Sequence, residues 1–186
     1  MNYHNITYPD MLNGDGLRVV LWLSGCSHHC KGCQNPQTWN SISGIEFDEY
    51  AKKELFEALD NDYISGVTLS GGDPLYEKNL DEVLELILEV RKKFPNKTIW
   101  LYTGYDFNFI MHWTQEQYEI DVHNNFRIDH TDYLRQQIVS YCDVVVDGKY
   151  IEELRDVSLH WRGSSNQRVI DVQQSLKKGE IVLWSN

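Results

Sequence analysis

Short apolar runs and amphipathic stretches alternate along this chain, and the alternation predicts an α/β fold: a mostly parallel sheet with crossover helices. Three observations carry the prediction. Between residues 18 and 146, strand-like and helix-like segments follow one another in turn, the pattern of parallel strands joined by helices. The strand segments are short and nearly all apolar, as expected when both faces of a sheet are covered. The distinctive motifs come directly after strands, so they converge on the carboxyl edge of the sheet, where such folds bind ligands.

Residues 1–15 are polar and rich in turn formers. Residues 18–23 form the first buried strand, and a cysteine-bearing loop fills residues 24–39. Residues 47–59 place Phe47, Tyr50, Ala51, Leu55, Ala58 and Leu59 at helical spacing, with acidic residues in the first turn. Residues 66–70 read as the second strand, and Gly71-Gly72-Asp73-Pro74 turns the chain. A helix over 80–94 must stop before Pro95. Residues 98–102 are the third strand, closed by Gly104, and residues 105–132 read as helix fragments. Residues 133–141 are helical, and the β-branched run at 143–146 is the fourth strand, followed by Asp147-Gly148. Residues 179–184 are expected to add a last, peripheral strand. One domain over residues 1–186 accommodates all of this, with a core at about 16–150 and a peripheral extension at 169–186.

Composition excludes several classes. With 41% hydrophobic residues, the 186-residue chain can bury a core. Its formal net charge is −11, and Arg91, Lys92 and Lys93 are its densest basic group. Phosphate neutralisation needs clustered cations, so no nucleic-acid partner is expected. The apolar run at 19–23 is far too short to span a bilayer, and the first residues do not resemble a signal peptide. A cytoplasmic protein without membrane contact is the expectation. In that reducing compartment, three cysteines within eight residues read as metal or redox chemistry, while Cys142 before a strand reads as a small core residue.

Cys26-Ser27-His28-His29-Cys30-Lys31-Gly32-Cys33 has the spacing C-x-x-x-C-x-x-C. Three thiolates on one loop can ligate three irons of a cubane cluster and leave the fourth open, and an open position admits substrate. Gly32 lets the backbone bend between ligands. A structural zinc site, with His28, His29 or Cys142 as fourth ligand, is the competing reading, although a second C-x-x-C pair is missing. His28 and His29 are otherwise expected to face solvent or a partner.

The spacing resembles the signature of the radical S-adenosylmethionine superfamily. The wider text, from Ser24-Gly25 through Gln34-Asn35-Pro36 to Thr38-Trp39, is similar to the anaerobic ribonucleoside-triphosphate reductase activating proteins, as is Asn13-Gly14-Asp15-Gly16-Leu17-Arg18. Members often carry an aromatic residue where Gln34 stands. The resemblance implies a 4Fe-4S cluster on Cys26, Cys30 and Cys33, with S-adenosylmethionine contacted by Gly32, Cys33, Gln34, Gly71, Gly72, Asp73 and Thr103. Gly71 and Gly72 would offer backbone carbonyls to the ammonium, with the Asp73 carboxylate nearby. Taken alone, Gly71-Gly72-Asp73-Pro74 is a plain turn.

Three weaker stretches match the same family: residues 100–105, 145–150 and the polar loop Trp161-Arg162-Gly163-Ser164-Ser165-Asn166-Gln167-Arg168. The last is expected near the mouth of the site. Residues 112–132 and 169–186 look longer than in compact members. The implied reaction is reductive cleavage of S-adenosylmethionine to a 5′-deoxyadenosyl radical, which takes hydrogen from a glycine of the large anaerobic ribonucleotide reductase. No side chain need act as acid or base. A reducing electron donor such as flavodoxin is implied too. A full eight-unit barrel typically takes about 250 residues, so a partial (β/α) barrel of the radical S-adenosylmethionine type is expected. The alternatives are an activator of pyruvate formate-lyase type, a small radical enzyme of deazapurine synthesis, and a zinc-stabilised interaction module.

Overall fold

The computed structural model describes residues 1–112 and 129–185. At its centre four strands run parallel: β2 (Arg18–Leu23), β4 (Gly66–Gly71), β5 (Thr98–Tyr102) and β6 (Val144–Asp147). Antiparallel strands flank them. On one side lie β1 (Asn2–Asp10) and then β3 (Ile45–Glu46), and on the other lies β7 (Arg168–Asp171), giving the order β3-β1-β2-β4-β5-β6-β7. The α/β architecture is as expected, parallel at its core and antiparallel at both edges.

The helices are α1 (Glu49–Leu59), α2 (Leu80–Lys93), α3 (Phe107–Met111), α4 (His130–Ser140) and α5 (Val172–Lys178). Local chemistry starts and stops them. Asp48, Asp106 and Asp171 each accept backbone N–H bonds at a helix start. Arg91, Lys92 and Lys93 occupy the last turn of α2, where cations suit the helix dipole.

Two expectations need correction. Residues 2–10, read as turn-rich, form β1. Within residues 169–186, expected as a peripheral extension, lie most of the edge strand β7 and all of α5. The strand expected at 179–184 is reduced to a bridge between Leu183 and Ile170. Of the helix fragments expected at 105–132, α3 and the start of α4 are seen, and residues 113–128 lie outside the described residues.

The period of two along each strand gives the sheet two different faces. Val19, Leu21, Leu23, Val67, Leu69, Ile99, Leu101 and Val145 pack with the helices in the main core. On the other face Trp100, Val144 and Val146 form a second cluster with Tyr102, Trp161, Val169 and Trp184. Arg18 also points there. It is fully buried, and its guanidinium donates to Thr68 Oγ1 at 2.6 Å, the Val67 carbonyl at 2.6 Å, and the Asp15 carbonyl, Thr98 Oγ1 and Thr98 carbonyl at 3.0 Å each. Burial holds its pKa down at about 10. Five N–H groups meet five acceptors, so the buried charge is fully solvated by protein.

Register carries the fold into the site. β2 and β4 run in step from Arg18 beside Gly66 to Leu23 beside Gly71, and β4 and β5 from Gly66 beside Thr98 to Leu69 beside Leu101. The loops leaving β2, β4 and β5 therefore emerge at one level.

Candidate functional site

The loops leaving those strands enclose a cleft of about 540 Å³, within the usual size for a small-molecule site. Cys26, Cys30, Cys33, Gln34, Gly71, Gly72, Asp73 and Thr103 all line it. Gly32 does not. It sits at φ +72°, a backbone conformation that favours glycine, with only the movable end of the Glu152 side chain close to where a Cβ would stand.

The cysteine loop is pinned at both ends. Gly25 N–H donates to the Thr38 carbonyl at 2.7 Å, and Cys26 N–H to the Trp39 carbonyl at 3.0 Å. This explains Thr38-Trp39 as part of the motif. The buried Asn79 side chain donates to the Ser24 carbonyl at 2.7 Å.

The thiols have N–H groups aimed at them. Asn35 N–H donates to Cys33 Sγ at 3.4 Å. Burial pushes the Cys26 thiol up to about 11, against the pull of the His28 backbone N–H. Burial also raises Cys30, opposed first by the backbone N–H of Tyr150, a residue from beyond β6. These partners stabilise thiolates, the form in which cysteine binds iron. Three thiols open on one cleft and supplied with N–H donors fit an iron–sulfur cluster.

Among the described residues, none of the fourth ligands considered for zinc joins them. Cys142 is fully buried in the main core, as read from sequence, and its thiol donates to the Ile138 carbonyl at 3.3 Å. His29 is exposed and lies against Trp39, ring centres 4.9 Å apart. His28, expected to face solvent or a partner, instead has a side chain only 8% exposed, with Nε2 2.7 Å from Asp73 Oδ2. Among the described residues no three His, Cys, Asp or Glu side chains gather as a single-ion site requires.

The glycine turn is pressed onto the cysteine loop. Gly72 N–H donates to the Leu23 carbonyl and Asp73 N–H to the Gly25 carbonyl, each at 2.7 Å. Gly71 has φ +97°, and a Cβ on Gly72 would lie 2.4 Å from the Gly25 carbonyl oxygen. Backbone lies on backbone here, which only glycine allows. Asp73 is 2% exposed, and its carboxylate accepts from Leu75 N–H at 2.8 Å, Thr103 Oγ1 at 2.9 Å, Gly104 N–H at 2.9 Å and His28.

The loop read from Trp161-Arg162-Gly163 lines the cleft with Gln167 and is braced by Gly163 N–H donating to Gln167 Oε1 at 3.0 Å. Asp147 is buried and paired with Arg168 through both carboxylate oxygens, so it fastens β6 to β7. Sequence reasoning missed Trp22, Tyr102 and Tyr150 as cleft residues. Trp22 and Tyr102 show through strand alternation once Arg18 and Trp100 are assigned to the same face. Nothing local marks Tyr150.

Comparison with known proteins identifies the family. Residues 12–170 match the family described as 4Fe-4S single cluster domain. The anaerobic ribonucleoside-triphosphate reductase-activating protein of Enterobacteria phage T4 is 41% identical over 169 residues, covering 91% of this chain and 93% of that one. The protein of the same name from Escherichia coli (strain K12) is 37% identical over 171 residues, 91% and 97% of the two chains. That from Vibrio cholerae is 38% identical over 169 residues, 90% and 96%. A match over most of the chain at such identity settles the family: this chain belongs to the anaerobic ribonucleoside-triphosphate reductase-activating proteins, with their 4Fe-4S single cluster domain.

Proposed function

We propose that the chain activates an anaerobic ribonucleoside-triphosphate reductase by placing a radical on one of its glycines. The observation that carries this is one cleft lined by three thiols, with no fourth ligand beside them among the described residues, next to a backbone-packed glycine turn. Cys26, Cys30 and Cys33 would hold a 4Fe-4S cluster. Gly71, Gly72, Cys33, Gln34 and Thr103 would border S-adenosylmethionine, with Gly32 shaping the loop from behind. Held there, the cluster would supply the electron for reductive cleavage of S-adenosylmethionine to methionine and a 5′-deoxyadenosyl radical, the species that would take a hydrogen atom from the partner's glycine.

The chain's own residues have three tasks. The cysteine loop fixes the thiolates, the glycine turn brings bare backbone against the cofactor, and the loop at Trp161–Gln167 shields one side of the cleft from water. The cleft on the sheet face bearing Trp22 and Tyr102 supports a partial (β/α) barrel with an open side for a partner loop. We read residues 1–186 as one such domain. The donor would be a low-potential one-electron protein such as flavodoxin, and the reducing cytoplasm suits both donor and cluster. No helix among the described residues is long and apolar enough to cross a membrane.

The test is anaerobic reconstitution with iron and sulfide, reduction with dithionite, and assay of 5′-deoxyadenosine after adding S-adenosylmethionine. Wild type is expected to form it and Cys30→Ala to form none. A colourless zinc protein without product would refute the proposal.

A further inference from the structure

We propose that His28 is a positioning residue that latches the cysteine loop to the glycine turn, and that the Asp73 carboxylate serves this latch instead of a cofactor ammonium. The inference rests on the cluster site proposed above.

His28 lies between two of the thiols in sequence, yet its side chain faces away from solvent into a fitted niche. Its Nε2–H donates to Asp73 Oδ2 at 2.7 Å. Gly104 lies so close that a Cβ there would come 2.4 Å from the ring, so the glycine leaves room for the imidazole. The other wall is Tyr105, edge-on, with ring centres 4.7 Å apart. Arg135 stacks over Tyr105 at 4.5 Å, donates to the Tyr105 hydroxyl at 3.1 Å, and reaches back to the Leu75 carbonyl at 3.1 Å. Asp73, His28, Tyr105, Arg135 and Leu75 thus close a ring joining the loops after β2, β4 and β5 to α4.

Asp73 has no capacity left over. Both its oxygens already accept from Leu75, Thr103, Gly104 and His28, and the residue is 2% exposed. A carboxylate so fully bonded is held rigid, and a cofactor ammonium would have to displace one of these donors. Its work is to hold His28, which fixes the loop between Cys26 and Cys30, as outer partners of metal ligands fix their geometry.

The test uses the full chain reconstituted without oxygen, as wild type, His28→Leu, His28→Gln and Asp73→Asn. Folding is checked by thermal midpoint. The readouts are the rate of iron loss to a chelator, the electron paramagnetic resonance spectrum of the reduced cluster, and KM for S-adenosylmethionine separately from kcat. His28→Leu keeps bulk but lacks the donor and should lose iron about tenfold faster with a shifted spectrum. His28→Gln keeps an N–H near the Nε2 position and should stay within about threefold of wild type. Asp73→Asn weakens the bond from the other end and should resemble His28→Leu, with a larger change in iron loss than in KM. Wild-type iron loss in a folded His28→Leu or Asp73→Asn overturns the latch, as does a His28→Gln that loses iron as fast as His28→Leu. If His28→Leu does not fold, Asp73→Asn decides. A wild-type chain that takes up no iron overturns the proposed function and this inference together; one that holds iron no better than its variants overturns the latch alone.

Discussion

Gly72 shows how little freedom the site leaves at the level of one residue. Its Cα faces the Gly25 carbonyl across a gap that a single methyl group cannot enter. Gly72→Ala should push the glycine turn off the cysteine loop and destabilise the protein by about 1–3 kcal/mol, as overpacking does. Urea unfolding of the metal-free chain checks it; an unchanged midpoint would show that the two loops are not in hard contact. The cysteines and the glycine pair were legible in sequence because ligand spacing and bare backbone are local properties. The employment of His28 and Asp73 was not, since their bond spans 45 residues of sequence and depends on the register of three strands.

Among the elements, the parallel strands were plain from their apolar runs, and the edges were not. β1 escaped because a register shift between Tyr3 and Asn5 breaks its alternation: Tyr3 and Ile6, three residues apart, both turn inward. β7 escaped because Ile170 alone of its four residues is fully buried. Arg18 ties this layer together, bonding β2 to β4 and β5 from inside. Arg18→Ala leaves a cavity and stranded acceptors, and should cost about 3–5 kcal/mol. The chemical-denaturation midpoint reports it, and a loss below about 1 kcal/mol would mean that water replaces the guanidinium without penalty.

The whole molecule is expected to respond to alkali. In the metal-free chain burial raises the Cys26, Cys30 and Cys142 thiols and the Tyr102 hydroxyl above their ordinary values, which for a thiol is 9.0. Above that pH the unfolded chain releases protons that the folded chain keeps. The stability these groups contribute is therefore complete below about pH 9 and is lost as pH rises toward the folded values. Urea midpoints measured at about pH 8 and about pH 10 should fall, and a flat profile would contradict the burial of these groups. The proposed activity acts on a second molecule: a radical formed in the cleft would take hydrogen from a glycine of the reductase. The direct measurement is to label that partner with α-deuterated glycine, mix it with the reduced, reconstituted chain and S-adenosylmethionine, and weigh the 5′-deoxyadenosine by mass spectrometry. One deuterium in the product and a glycine-centred radical on the partner are expected. Unlabelled 5′-deoxyadenosine, formed equally with and without the reductase, would contradict it.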